Sequence, residues 1–335
     1  MNPLLEIFPQ KNFHRRDFLL ALAGILSAPI LQNCGTKRIT AQAFITRATD
    51  YSDDIKSKIL SGFKELNVKP EEIRGKKILL KPNLVEPHKG VGHINTHPLV
   101  IRGVAEAFYS LGAGQVLVAE GAGHIRDTQL VLEESGLADV LFEDRIPFID
   151  LNNDNGFEVE NLGRKSRLKK LTLPTTLQKV DWIVSLAKMK THHWAGVTLS
   201  LKNMFGVMPG IYYGFPKNVL HWAGIDEAIL DINLTVKPHF AIIDGIVGME
   251  GDGPIMGKPK KVGVLVMGRN LPAVDATCCR VMGINPIKIK YLKQAAKYLG
   301  PIKEDDIIQL GESIRSVKTN FEILNRIPAQ RGIRI

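Results

Sequence analysis

Residues 182–210 read WIVSLAKMKTHHWAGVTLSLKNMFGVMPG and decide the fold. The first six residues, 182–187, are rich in Val, Ile and Leu and predict a buried strand. Polar and basic residues follow immediately, and then apolar residues recur at helical spacing over 197–205. A buried strand followed by a helix is the repeating unit of α/β proteins.

The same alternation extends in both directions along the chain. Short β-rich runs predict further strands at 76–81, 115–120, 239–243 and 262–267, and helices are predicted at 98–110, 127–134, 225–234, 272–282 and 287–298. This order predicts an α/β fold whose sheet is largely parallel or mixed and is flanked by helices. We expect a single α/β domain over 44–335, with two lobes as the alternative. A polar, basic stretch near 152–174 predicts either a β-hairpin or a flexible insertion.

Polar residues cluster where the predicted strands end. In open α/β sheets, ligands bind beyond the carboxyl ends of the strands, so these clusters predict one shared site. The alternative is that they are ordinary loops, which are polar on any protein surface. The clusters are Pro82-Asn83, 121–124, 188–193, 244–254 and 268–270, with Asp275 in the following helix.

The cluster after residue 187 is the most basic of these. Lys188, Lys190 and Lys202 lie within fifteen residues, together with a predicted helix start near Ala195. Ammonium groups and the free N–H groups of a helix N-terminus both bind anions, so this segment predicts an anion site.

Histidines raise the question of a metal. Eight of the nine lie beyond residue 43, and a lone histidine is more often structural than a ligand. His192, His221 and His93 or His97, joined by Asp244 or Glu250, are candidates for a zinc or iron site, so a divalent metal is one option. No H-E-x-x-H spacing supports that option.

Composition and motifs exclude several classes. The sequence has three cysteines; Cys278 and Cys279 are adjacent, so we expect neither a disulfide framework nor an iron–sulfur cluster. It contains no G-x-S-x-G elbow and no G-x-x-x-x-G-K-[ST] loop, which argues against an α/β-hydrolase and a P-loop NTPase. Residues 1–43 contain five basic and two acidic residues, so 39 basic and 32 acidic residues remain, a net charge of +7. That charge favours anionic ligands and does not specify nucleic acid.

The amino-terminal segment predicts export. Arg15-Arg16 precede an apolar run over 18–31 that is too short and too interrupted to span a membrane. Paired arginines before such a run are typical of the twin-arginine export machinery, which places the body outside the cytoplasm. Two outcomes of processing remain open: cleavage after Ala43, or formation of a lipoprotein with a lipid on Cys34. The leader and that lipid are the only attachments to a membrane that we expect.

Five blocks of the sequence resemble the domain of unknown function 362 family. They are ILLKPNL, THPLVIRGVAEAFYSLGAGQVLVAEG, LAKMKTHHWAGVTLSLKNMFGVMPG, DGIVGMEGDGPIMGKP and PAVDATCCRVMGINP, within about 76–300. Some relatives carry ferredoxin-like cysteine modules, and this chain lacks those cysteines. The resemblance implies that the important positions are Lys81, Asn83, Lys188, Lys190, Thr191, His192, Lys202, Asn203, Gly206, Asp244, Glu250, Gly253, Pro254 and Asp275.

Together these patterns favour an enzyme that acts on a small anionic substrate, with metal assistance as an option. The lysines would hold the anion, Asp244 and Glu250 would be acid–base groups or ligands, and His192 would transfer a proton. Lys81, Asn83, Thr191, Asn203 and Asp275 complete the predicted substrate-binding set. The alternative is an extracytoplasmic module that binds an anion or metal without catalysis; a histidine hydrogen-bonded to a carboxylate would favour the enzyme.

Overall fold

The strand that the sequence predicts over 182–187 is longer in the structure. In the computed structural model, which describes residues 40–123 and 127–335, strand β7 runs over Trp182–His192 and all its residues are buried. Its neighbour β2 (Lys77–Pro82) pairs with it only as far as Leu186. A short strand, β8 (Gly196–Thr198), turns back and pairs with Lys190, Thr191 and His192 at the end of β7.

This pairing changes the structure of the segment that follows β7. The predicted helix over 197–205 is instead β8, a one-turn helix Ser200–Asn203 and a 3₁₀ turn Met204–Val207. The reason is that the end of β7 needs backbone partners, which β8 supplies.

The described strands form a nine-stranded mixed sheet, which confirms the predicted α/β class. Its order is β11-β1-β10-β9-β7-β2-β3-β4, with β8 paired to β7. The strands from β9 to β4 are parallel, whereas β10 is antiparallel to both of its neighbours. The remaining bounds are β1 Ala41–Arg47, β3 Gln115–Glu120, β4 Phe148–Asp150, β9 Phe240–Glu250, β10 Lys258–Gly268 and β11 Ile307–Gly311.

Helices cover both faces of the sheet and bury two apolar clusters against it. Residues on alternate positions of β7 belong to different clusters: Ile183 and Met189 pack on one side, Val184 and Leu186 on the other. The helices are Ile55–Glu65, Pro70–Ile73, Pro98–Ser110, Thr128–Glu134, Leu137–Glu143, Gly210–Tyr213, Asn218–Ala223, Ile225–Val236, Leu271–Val281, Lys290–Ala295 and Ile314–Val317, besides Ser200–Asn203. Short 3₁₀ turns lie at Thr175–Lys179, Pro286–Lys288, Glu304–Asp306 and Pro328–Gln330.

The polar stretch near 152–174 contains a two-stranded antiparallel sheet. Strands β5 (Gly156–Glu160) and β6 (Lys170–Pro174) pair with each other and not with the large sheet. Of the two predicted forms, the structure has the hairpin.

Part of the predicted export segment belongs to the fold. The twin-arginine motif and Cys34 lie outside the described residues, but Ala41–Ala43 begin β1 and pair with β11. These three residues are therefore part of the sheet, although they lie inside the segment 1–43 that the sequence predicts as the export signal. Residues 39–335 form one compact unit. None of the helices in the described part is both long and apolar enough to cross a membrane.

Candidate functional site

A cavity of about 350 Å³ lies beyond the carboxyl ends of β2, β3 and β7. This is the edge where ligands bind in open α/β sheets. Its lining is unusually rich in cations and imidazoles. The principal lining residues are Lys81, Asn83, Glu120, Gly121, Lys190, His192, His193, Trp194, Thr198, Lys202, Asn203, Phe205, Gly206, Lys217, His221 and Pro254.

A buried ion pair forms the floor of the cavity. Lys81 Nζ donates to Glu120 Oε2 at 2.5 Å and to Asn203 Oδ1 at 2.9 Å, and both charged side chains are 1% exposed. Glu120 also accepts from the backbone N–H groups of Leu84 and Gly121. Burial alone would raise the pKa of the Glu120 carboxyl and lower that of Lys81, and the pair opposes both shifts.

Only glycine fits at position 206 beside this pair. A Cβ atom there would lie 1.9 Å from Glu120 Oε1 and 2.5 Å from Lys81 Nζ. The Gly206 carbonyl also accepts from the Gly121 N–H at 3.0 Å. The glycine therefore allows the turn after helix Ser200–Asn203 to approach the end of β3 closely.

Lys190 enters the cavity from β7 without a carboxylate partner in the described residues. Its Nζ donates to the backbone carbonyls of Ile94 at 2.7 Å and Pro254 at 3.3 Å. Its side chain is fully buried, and burial lowers the pKa of its ammonium well below the usual value, as do the charges of Lys188, Lys202 and Lys81. An anion beside Lys190 would therefore be strongly favoured.

Lys202 projects from the one-turn helix and lies over an aromatic ring. Its Nζ is 3.8 Å from the centroid of Phe205, and no hydrogen-bond acceptor is recorded for it among residues 40–123 and 127–335. Burial of the amine, followed by the charges of Lys81 and Lys217, lowers the pKa of Lys202 to about 7. This amine therefore exchanges between charged and neutral forms near neutral pH.

Lys217 closes the cavity from the opposite side. Its Nζ donates to Asn152 Oδ1 at 2.6 Å, and burial lowers its pKa to about 8. Its carbonyl accepts from Nδ1 of His221 at 3.1 Å, which places the proton of the neutral His221 ring on Nδ1. Nε2 of His221 is then an unprotonated acceptor, and burial lowers the pKa of the ring to about 4.

His192 has the opposite tautomer. Its Nδ1 accepts from the backbone N–H groups of Trp194 at 3.0 Å and Ala195 at 3.2 Å, so Nε2 carries the proton of the neutral ring. Burial and nearby Lys202 lower its pKa well below the usual value. His192 is therefore a hydrogen-bond donor, and it has no carboxylate partner among the described residues.

Two buried polar atoms of the cavity lining have no hydrogen-bond partner among residues 40–123 and 127–335. They are Asn83 Oδ1 and Thr198 Oγ1, and the two residues are 8% and 4% exposed. Buried polar groups are normally hydrogen-bonded, so unpaired atoms at a cavity wall are suited to contact a ligand.

Lys188 and Asp244 form a separate centre beside the cavity. Both side chains are fully buried, and Lys188 Nζ donates to Asp244 Oδ2 at 2.6 Å and to the hydroxyl of Tyr51 at 2.9 Å. Asp244 also accepts from His97 N–H, from Ile246 N–H and from the Tyr51 hydroxyl. Neither Lys188 nor Asp244 lines the cavity, because each side chain is held by this network.

Three other predicted site residues also lie elsewhere. Asp275 accepts from Ser200 and Leu201 in the core, so it positions helix Ser200–Asn203 and does not face the site. Thr191 donates to the Gly251 carbonyl. Glu250 ends β9 and accepts from Glu322 N–H and Lys260. None of the three lines the cavity, which corrects their predicted placement at the site. For Glu250 the reason is that β9 continues to residue 250, where the sequence predicted a loop.

The metal candidates do not come together. Within residues 40–123 and 127–335, no three His, Cys, Asp or Glu side chains form a group that could hold a metal ion. His192 and His221 line the cavity, whereas Asp244 and Glu250 are held by the contacts just described. These four residues therefore do not form the metal site that the sequence suggested. Cys278 and Cys279 are free, buried thiols in helix Leu271–Val281.

Sequence reasoning missed Glu120, Lys217 and Trp194 as lining residues. Glu120 had a usable signal, because it is a charged residue at the end of an otherwise apolar strand. Lys217 had none, since it reaches the cavity from a left-handed backbone conformation with φ 64° outside the sheet.

The chain is similar over part of its length to a thylakoid-associated protein and to two proteins of solved structure. A thylakoid-associated protein of Synechocystis sp. is 27% identical over 223 residues, which span 64% of this chain and 65% of that protein, less than two thirds of its length. The lactate racemase apoprotein of Thermoanaerobacterium thermosaccharolyticum has 16% identity and a TM-score of 0.44 over 73% of this chain and 58% of that one. A Thermotoga maritima protein has 12% identity and a TM-score of 0.36 over 70% and 59%.

The sequence also matches a family model over most of the sheet. The family described as "Domain of unknown function (DUF362)" matches residues 78–280, which include the ends of β2, β3 and β7 that form the cavity. The match covers more than half of the chain and contains most of the blocks that carried the resemblance. The chain belongs to the DUF362 family.

Proposed function

We propose that the cavity binds a small anionic substrate and that the protein is an enzyme. The supporting observation is the charge of the lining: Lys81, Lys190, Lys202 and Lys217 face a cavity whose described lining contains a single carboxylate, Glu120. That carboxylate is already paired with Lys81. Three ammonium groups therefore remain without a buried counter-charge.

An empty cavity of this kind is electrostatically unfavourable. Burying an uncompensated ammonium carries a large desolvation penalty, and the depressed pKa values of Lys190, Lys202 and Lys217 reflect it. A carboxylate or phosphate among these groups would restore their charged forms. It would also give Thr198 Oγ1 the hydrogen-bond partner that it lacks.

The acid–base group in this proposal is Lys202 rather than His192. An efficient proton-transfer group has a pKa near the working pH, and Lys202 meets that condition. His192 Nε2–H is a donor suited to orient the substrate, and His221 Nε2 is an acceptor in the same cavity. Asp244 and Glu250 have no part in this chemistry.

A binding module without catalysis is the second candidate. The observation that favours it is that neither His192 nor His221 has a recorded carboxylate partner in the described residues. In that case the lysines would hold an anion, and Lys202 would respond to pH without transforming the ligand.

The binding step is tested by calorimetry with malonate and sulfate. Lys190→Met should weaken binding at least tenfold, because it removes a buried cation, while the melting temperature stays the same or rises. Lys170→Met is the matched control, since Lys170 is an exposed lysine paired with Glu158. Equal affinity in the two variants, or no binding of either anion by the wild type, would refute the anion site.

Catalysis is tested with the same protein. Proton NMR in deuterated water, with a set of small mono- and dicarboxylates, would reveal exchange or conversion of the substrate. The enzyme proposal expects Lys202→Met to abolish that reaction and to leave the fold intact. Tight binding of carboxylates with no conversion of any would select the binding module.

For localisation, we propose export by the twin-arginine route, with processing before residue 41. The support from the fold is β1: cleavage after Ala43 would remove the residues that pair with Ile307, Ile308 and Gln309. Ala43 is also fully buried in the sheet, where a peptidase has no access to a folded chain. Mass spectrometry of the exported protein would find an N-terminus upstream of residue 41. A terminus at Phe44 would contradict this proposal.

A further inference from the structure

Lys202 differs from the other lysines of the cavity. Lys81, Lys190 and Lys217 each donate to at least one oxygen of the protein. For the Lys202 amine, the structure of residues 40–123 and 127–335 shows no hydrogen bond and one cation–π contact, with the face of the Phe205 ring. Its amine lies in the cavity wall and is not engaged in a hydrogen bond with a described residue.

The surroundings of this amine favour its neutral form. Phe205, His221 and Trp194 form a continuous aromatic wall, with successive ring centroids 5.5 and 5.0 Å apart. Lys81 and Lys217 add positive charge to the neighbourhood of Lys202. An apolar wall and nearby cations together are the conditions that activate a lysine as a nucleophile.

We infer that Lys202 forms an imine with the carbonyl carbon of a small oxo acid. This inference rests on the proposed function, and it names the substrate class: an anion with an aldehyde or ketone group. The carboxylate would be held by Lys190 and Thr198, and the carbonyl would face Lys202.

The reaction is a balanced condensation. The Nζ lone pair attacks the carbonyl carbon, the C=O π electrons move to oxygen, and a proton passes from nitrogen to that oxygen to give a carbinolamine. The nitrogen lone pair then forms the C=N bond as the hydroxyl, protonated by a donor, leaves as water. The Lys217 ammonium, which also lines the cavity, is the candidate donor, and it regains the proton when nitrogen loses its remaining N–H. The neutral His192 ring donates only a hydrogen bond from Nε2–H. Asn83 Oδ1, which has no partner in the described part of the chain, is an acceptor for the carbinolamine hydroxyl.

The test is reductive trapping of the full chain. The protein is incubated with pyruvate or glyoxylate and sodium cyanoborohydride, and the product is analysed by intact mass and peptide mapping. We expect one adduct per chain, located on Lys202. At a saturating concentration of the oxo acid its yield should increase with pH, because the neutral amine is the nucleophile.

Three variants make the outcome decisive. Lys202→Arg keeps a positive charge but has no nucleophilic amine, so it should lose the adduct, as should Lys202→Met. Lys170→Met, which changes an exposed lysine, should be labelled as the wild type is. Adducts spread over surface lysines, or labelling unchanged in Lys202→Arg, would overturn the imine. Malonate binding without any trapped adduct would refute the imine alone, whereas loss of anion binding in the wild type would refute the proposed function as well.

Discussion

The buried pair of Lys81 and Glu120 gives the sharpest test of how the site is built. Both side chains are 1% exposed, and they are joined at 2.5 Å beneath the cavity. Removing one partner of a buried ion pair typically costs 3–5 kcal/mol, because it leaves a charge without compensation. In Lys81→Met, Glu120 would keep the N–H groups of Leu84 and Gly121, so we expect the lower end, about 3 kcal/mol.

The second half of the test is a double-mutant cycle. Glu120→Gln should also destabilise the protein by about 3 kcal/mol, because Lys81 would keep only carbonyl acceptors at Pro82 and Asn203. The double variant has no buried charge at this place. We therefore expect its loss of stability to be about 2 kcal/mol smaller than the sum of the two single losses, which is within the range measured for contacting residues.

The pH dependence of Lys81→Met has a definite sign. Without the ammonium, the pKa of Glu120 in the folded state rises further above its unfolded value, because desolvation is then less opposed. A carboxyl with a raised pKa binds more protons in the folded state, so stability falls as the pH rises through that pKa. The loss in this variant should therefore be smaller at pH 5 than at pH 8.

Urea unfolding at several pH values measures all of these quantities. The midpoint should shift while the m-value remains that of the wild type, so that the change is one of stability. A loss below about 1 kcal/mol in both single variants, or additive losses in the double variant, would show that the pair is not a coupled buried charge pair.

Three further substitutions probe the surroundings of the cavity. Gly206→Ala should cost about 1–3 kcal/mol, because its Cβ would collide with Glu120; a melting temperature equal to the wild type would contradict this. Tyr51→Phe removes the hydroxyl that contacts Lys188 and Asp244, so urea unfolding should show a loss of about 1–2 kcal/mol with malonate binding retained. Asp275→Asn replaces one of the two carboxylate oxygens that accept hydrogen bonds from Ser200 and Leu201, so it should lower the free energy of unfolding by about 1–3 kcal/mol. An unchanged free energy of unfolding would show that Asp275 does not stabilise helix Ser200–Asn203.

The location of the cavity was predictable because it follows from strand direction. Side chains just beyond parallel strands must converge, and Asn83, Lys190 and Lys202 do so. The fold class followed from the same alternation of strands and helices. These predictions depended on apolar periodicity and strand order, which a single sequence records directly.

The errors came from tertiary pairing that periodicity does not record. The sequence ended the strand of Asp244 at residue 243, but β9 continues to Glu250 because β10 supplies backbone partners along its length. Asp244 therefore lies inside a sheet, where it neutralises Lys188. Asp275 was assigned to the site by position alone, and only the contact with Ser200 shows that it supports a helix. Side-chain partners of this kind are separated by many residues in the sequence.

The choice of lysine for the cavity has a consequence that arginine would not allow. An arginine stays charged at any relevant pH, whereas a buried lysine can lose its proton and lower the cost of an empty cavity. Lys202 and Lys217, with pKa values lowered to about 7 and about 8, are therefore partly neutral at pH 7.5 before an anion arrives. A bound anion favours the charged forms, so binding must be accompanied by proton uptake.

Proton uptake can be measured directly with sulfate, whose own charge is constant over the relevant range. Calorimetry at pH 7.5 in two buffers of different ionisation enthalpy should give different observed enthalpies, and the difference reports a fraction of a proton taken up per anion. The affinity should fall as the pH rises from 6 to 9, because Lys202 and Lys217 lose their charge in turn. Lys202→Met should reduce both effects. If the enthalpies are equal in the two buffers and the affinity does not change with pH, the anion does not bind among these lysines.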